Sequence, residues 1–205
     1  MSNTFKSAEQ PSTTSIGSGF SEVVTSEQYA LGSKRVQSAD EVQAYGSGVT
    51  VATTPSAAQK LMLAGERTWV FIKSSGTIAA GDLVQRSADT DAYTGVQTTL
   101  GESSKFDFLG VADHAIASGS YGWVICKGPC VVQAAAAVDA GEAISSDGDT
   151  TPGEVSILTG GGTGTGAVVA AADIGLACLG IALESEGSSA TYGAGYVIAQ
   201  IDIPA

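Results

Sequence analysis

Three stretches hold residues whose types and spacing suit chemistry. Gly162-Thr163-Gly164-Thr165-Gly166-Ala167 fits the relaxed dinucleotide fingerprint, with Val155-Ser156-Ile157-Leu158 before it as a strand and Glu184 beyond it as a ribose ligand. That chemistry needs a helix directly after the glycines, so that pyrophosphate meets its N-terminus, and parallel strands alongside. Here a β-type block follows from Cys178, and no Lys follows the glycines, which excludes a P-loop. The Gly160–Gly166 run reads as a flexible glycine loop.

Cys126-Lys127-Gly128-Pro129-Cys130 has a C-x3-C spacing that supplies two zinc ligands, with His114 and Cys178 to complete a set. His114 and Cys178 form no motif of their own, and cysteine on a strand is commonly a small buried hydrophobe. His114 is the single histidine, and no G-x-S-x-G nucleophile elbow accompanies it. It reads as a turn residue beside Asp113. Asp147-Gly148-Asp149 starts like a calcium loop but continues with Thr151 and Glu154, off the EF-hand series. The expectation is therefore no catalytic residues, no cofactor and no metal site: the chain reads as a non-enzyme.

Charge narrows the partners. The 205 residues carry 9 basic and 21 acidic groups, a formal net charge of −12, and no Lys or Arg follows Lys127. Phosphate backbones and anionic membranes both require clustered cations, so neither nucleic acid nor membrane is expected as a partner. The N-terminal decapeptide lacks the apolar core of a signal peptide, and three cysteines cannot all pair; both suit folding in a reducing cytoplasm.

The elements that must position these residues read as short strands. Glycine is frequent, at 27 residues, and aromatic residues are scarce, at 6%, which favours tight turns over helices. Residues 1–19 are Ser, Thr, Gly and Pro with lone anchors at Phe5 and Ile16, and are expected to form a flexible arm. Residues 20–66 read as a strap of short strands, with a helical turn over 56–64 capped by Ser56 and packing Leu61, Met62 and Leu63 inward. From Arg67 the pattern becomes a compact β-domain. Trp69-Val70-Phe71-Ile72 is apolar on both faces, residues 86–107 and 145–166 read as long loops, and Lys127-Gly128-Pro129 reads as a strand break.

The wording of this domain repeats. Ala79-Ala80-Gly81-Asp82 is answered by Asp139-Ala140-Gly141-Glu142, 60 residues on; Leu109-Gly110-Val111-Ala112 by Leu179-Gly180-Ile181-Ala182, at 70; and Gly122-Trp123-Val124-Ile125 by Gly195-Tyr196-Val197-Ile198, at 73. Three blocks in one order imply a duplication, with halves 67–127 and 128–205 and longer loops in the second. The expected fold class is all-β: a mainly antiparallel, sandwich- or barrel-like domain with internal duplication and an extended N-terminal arm.

The order of blocks carries a resemblance. Leu31-Gly32-Ser33, Thr68-Trp69-Val70-Phe71-Ile72-Lys73, Ala80-Gly81-Asp82-Leu83-Val84, Leu109-Gly110-Val111-Ala112, Ser120-Tyr121-Gly122-Trp123-Val124, Gly128, Ala140-Gly141-Glu142 and Leu179-Gly180-Ile181-Ala182 follow one another. This resembles the small β-rich decoration (cement) proteins of tailed bacteriophage heads, over roughly residues 30–203. The resemblance implies a virion protein made in the bacterial cytoplasm. It implies a homotrimer on the outer capsid surface, clamping the major capsid protein without catalysis. The long loop at 145–166 and the polar arm depart from that pattern. The cations of the N-terminal part and its sparse anchors suggest the capsid contact: Phe5, Phe20, Tyr29, Leu31, Lys34 and Arg35. The alternative is a tail or cell-surface β-module that binds carbohydrate; further off is a nucleotide-binding enzyme on the glycine loop.

Overall fold

The computed structural model describes residues 20, 23–38, 56–87, 91–101, 103–134, 138–147, 151–158, 177–186 and 195–205. The arm 1–19, with Phe5, and the Gly160–Gly166 run lie outside them. In chain order the elements are β1 (Lys34–Gln37), α1 (Ala57–Leu63), β2 (Arg67–Ser74), β3 (Leu83–Arg86), β4 (Thr94–Gln97) and a 3-10 turn (Lys105–Asp107). Then follow β5 (Phe108–Ala112), β6 (Tyr121–Gln133), β7 (Ala143–Ser146), β8 (Val155–Ile157), β9 (Gly180–Ala182) and β10 (Tyr196–Asp202). The all-β expectation holds: among the described residues one sheet contains every strand, and the helix Ala57–Leu63 is seven residues long.

The sheet closes on itself twice. β2 pairs with β4 in parallel, β4 with β3, β3 with β5, β5 with β6, and β6 back with β2, all antiparallel after the first. The second ring repeats the circuit: the end of β6 bridges β8 in parallel through Ala134 and Val155, and β8–β7–β9–β10–β6 returns antiparallel. Ring closure removes strand edges that would otherwise template aggregation. β6 is shared. Its 13 residues run unbroken through Gly128-Pro129, with Lys127 opposite both Thr68 and Asp202, so the expected strand break is absent. Gly128 adopts φ +111, and a Cβ there would collide with the Glu66 carbonyl oxygen. Glycine thus lets the strand bend from one ring into the next without losing pairing.

Hydrogen bonds locate the repeat more closely than wording does. Gly81 N–H donates to Ala112 O at 2.7 Å and Ala112 N–H to Asp82 O at 2.9 Å; Gly141, Ala182 and Glu142 repeat both bonds at 2.8 and 2.9 Å. Ala112 then lies opposite Val124, and Ala182 opposite Ala199. Val124 therefore matches Ala199, 75 residues on rather than 73. A slip of two keeps every side chain on its own face, which is why the misaligned wording still preserved the alternation. The interiors correspond: Ile72, Val84, Leu109, Ala112 and Val124 fill the first ring as Val132, Ile144, Leu179, Ala182 and Ala199 fill the second.

Two expected loops contain structure. β4 and the 3-10 turn lie inside 86–107, and the end of β7 and all of β8 inside 145–166. Thr94-Gly95-Val96-Gln97 is too short and polar to announce a strand; pairing to β3 and β2 makes it one. The helix also differs in facing. Ser56 caps it in a capping box with Gln59, and Leu63 is buried with Met62 beside it, but Leu61 is 74% exposed. At 100° per residue, positions 59, 62 and 63 share a face from which 61 points away.

Candidate functional site

The strap covers the same place on both rings. On the first, Trp69, Phe71 and Trp123 form an aromatic shelf on the outer face. Phe20 stacks on Trp69 at 4.9 Å and meets Trp123 edge-on at 5.8 Å. Tyr29 packs edge-on against Phe71 at 5.3 Å and tilted against Trp123 at 5.3 Å. Arg35 lays its guanidinium 4.4 Å from the Tyr29 ring and 5.2 Å from Trp123. Leu31 packs on the same cluster, and Trp69 Nε1 donates to Gln37 Oε1 at 3.0 Å. On the second ring the matching positions Val131 and Ile198 are covered by Leu63 and Met62 of α1. Gln59 Nε2 donates to Glu184 Oε2 at 3.2 Å, while Glu184 Oε1 accepts Ile198 N–H at 3.2 Å. Glu184 is thereby a buried clamp between helix and sheet.

The structure thus brings together Phe20, Tyr29, Leu31 and Arg35, with Lys34 exposed at the start of β1. Phe20 is 6% exposed, so its own chain already covers it and it is not a free anchor. What sequence reasoning lacked was the receiving surface: Trp69 and Phe71 look like interior residues of a two-faced strand, and so does Trp123.

Among the described residues, the remaining chemistry-bearing side chains form no metal-binding cluster. Cys126 and Cys130 are buried and form no disulfide; burial raises both thiols, Cys130 to about 12. Cys178 is half-buried, its thiol bonded to Gly180 O at 3.5 Å. His114 is buried with neither ring nitrogen bonded among the described residues, and desolvation lowers its pKa to about 4. No group of three or more His, Cys, Asp or Glu among the described residues could hold a metal ion, and no described helix is long and apolar enough to cross a membrane.

One buried carboxylate had no sequence signal. Asp82 Oδ2 accepts Ala79 N–H at 2.7 Å, while Oδ1 lies under the β7–β8 turn, where Gly153 packs against it. Desolvation raises its pKa to about 6, offset only in part by Ala79 N–H and the Gln97 amide. The turn is pinned there by Leu83 N–H to Gly153 O at 2.8 Å and Gln97 Nε2 to Pro152 O at 3.1 Å.

These features define a class: an all-β chain of two closed, duplicated rings bound by its own N-terminal strap. The chain matches no described protein family and no curated protein. Among solved structures it is similar to the N base of head fiber gp8.5 of bacteriophage phi29. Identity is 14%, covering 65% of this chain and 92% of that one, with a TM-score of 0.43.

Proposed function

We propose that this chain is a structural virion protein that binds the outer surface of a tailed-phage head and stabilises the lattice of its major capsid protein. The observation that carries the reading is the ordered series of short blocks, which resembles that of head decoration proteins. The fold gives those blocks work to do: Gly81 and Gly141 make equivalent turns, and Leu109–Ala112 and Leu179–Ala182 overlap equivalent strands. A strapped double ring is a rigid body suited to presenting a fixed surface. Repetition on a lattice then adds weak contacts into firm attachment. In this reading the protein acts as a homotrimer in the virion, and the exposed Lys34 is the most accessible of the cations expected at the capsid contact.

The test is co-sedimentation of the purified chain with heads assembled without it, alongside a glycan array. Saturable binding to heads at a fixed stoichiometry supports the reading. Failure to sediment with heads, together with selective glycan binding, would replace it with the carbohydrate-binding module.

A further inference from the structure

The surface left unexplained gathers along the seam of the two rings. A groove of about 430 Å³ runs there, with Leu179, Ile181 and Ile201 among its lining residues and Lys105 and Lys127 beside them. Ile181 is 49% exposed, and Phe106, next to Lys105, is 54% exposed. Apolar surface continues sideways: Lys127 lies opposite Thr68, Thr68 opposite Val36, and Val36 is 60% exposed. Lys34 stands two residues from Val36, on the same face of β1. Lys34 and Lys127 both lie near enough to Cys126 to act on its thiol.

Three of the nine cations and three large exposed apolar side chains therefore share one side of a chain with net charge −12. Clustered cations beside several uncovered large apolar groups suit a partner that is both acidic and apolar. The local anions leave the cations available. Asp202 reaches Lys127 only at 3.8 Å, with both side chains well exposed, a weak and exchangeable pair. Asp107 turns back to accept the Ser103 hydroxyl at 2.6 Å. Elsewhere the acidic surface repels an acidic partner, so the seam also orients its approach.

We propose that this seam docks an acidic protein segment carrying apolar side chains, with its carboxylates on Lys105 and Lys127 and an apolar residue against the exposed Ile181. The proposal rests on the capsid reading only in taking the partner to be a protein. It is tested by titrating the isotopically labelled full chain with a synthetic peptide alternating Glu and Leu. Amide shifts are expected at Lys105, Phe106, Lys127, Gly180 and Ile181. The double variant K105E/K127E, whose folding is checked by circular dichroism, is expected to weaken binding at least about tenfold. Shifts spread over other surfaces, or none, overturn the proposal. Heads that bind the parent chain and K105E/K127E equally also overturn it, while leaving the capsid reading intact. A peptide response at the seam without head binding does the reverse.

Discussion

Asp82 and Glu142 stand 60 residues apart and close the same turn in the two rings. Asp82 Oδ2 accepts Ala79 N–H at 2.7 Å, and Glu142 Oε2 accepts Asp139 N–H at 2.8 Å. Their surroundings differ. Glu142 is half-buried, whereas Asp82 is fully buried beneath Gly153 of the other ring. Packing one copy of a duplicated motif against the other turned an ordinary turn carboxylate into a desolvated one.

That difference predicts a pH dependence. The Asp82 pKa is raised from 3.8 to about 6 in the folded chain, so protonation favours the folded state. Its contribution is fully present below about pH 4 and is lost as pH rises through about 6. The shift corresponds to roughly 3 kcal/mol. His114, lowered to about 4 by burial, acts in the opposite sense over the same range, so the parent chain alone does not isolate the effect. Asp82→Asn should match the parent near pH 4 in urea denaturation and gain on it as pH rises to 7. Parallel stability curves for the two proteins would exclude the buried-carboxylate account.

How far the sequence could be read depends on whether a signal was local. The strand pattern, the duplication and the Ser56 cap are local, since alternation, turn glycines and capping residues act within a few positions. β10 shows such alternation, with Val197, Ala199, Ile201 and Ile203 in one cluster and Tyr196 and Ile198 in another. β4 was illegible as a strand because pairing partners, not propensity, make it one. The continuity of β6 through Pro129 escaped notice for a related reason. Proline is tolerated where the ladder needs no N–H, and only the register shows where that is. Asp82 and the Lys105–Lys127 groove were invisible because each is made by two segments that only the ring-to-ring packing brings together.

The aromatic shelf gives a second prediction. Phe20 fills the angle between Trp69 and Trp123, so Phe20→Ala removes a buried ring and leaves a cavity. Such truncations cost about 3–5 kcal/mol. Urea denaturation should show that loss, with tryptophan fluorescence moving toward that of exposed indole. Leu61→Ala, on the outward face of α1, should change stability by less than about 0.5 kcal/mol. A Phe20→Ala protein as stable as the parent would mean that the shelf is covered by something other than this strap residue.

The three cysteines provide the last prediction, and it separates a structural role from a metal or redox role. Cys126 and Cys130 are buried with raised thiols, which disfavours the thiolate, the species that attacks disulfide reagents, and shields both from reagent. Cys178 is partly open on the seam groove. Treating the folded chain with a thiol reagent should therefore modify one cysteine rapidly, identified by peptide mapping as Cys178. The other two should react only at the rate of unfolding, which urea accelerates. A zinc site predicts something else: Cys126 and Cys130 protected by metal, released together by a chelator, with a large fall in melting temperature. Rapid native-state modification of Cys130, or chelator-dependent exposure of both β6 thiols, would refute the buried-hydrophobe assignment.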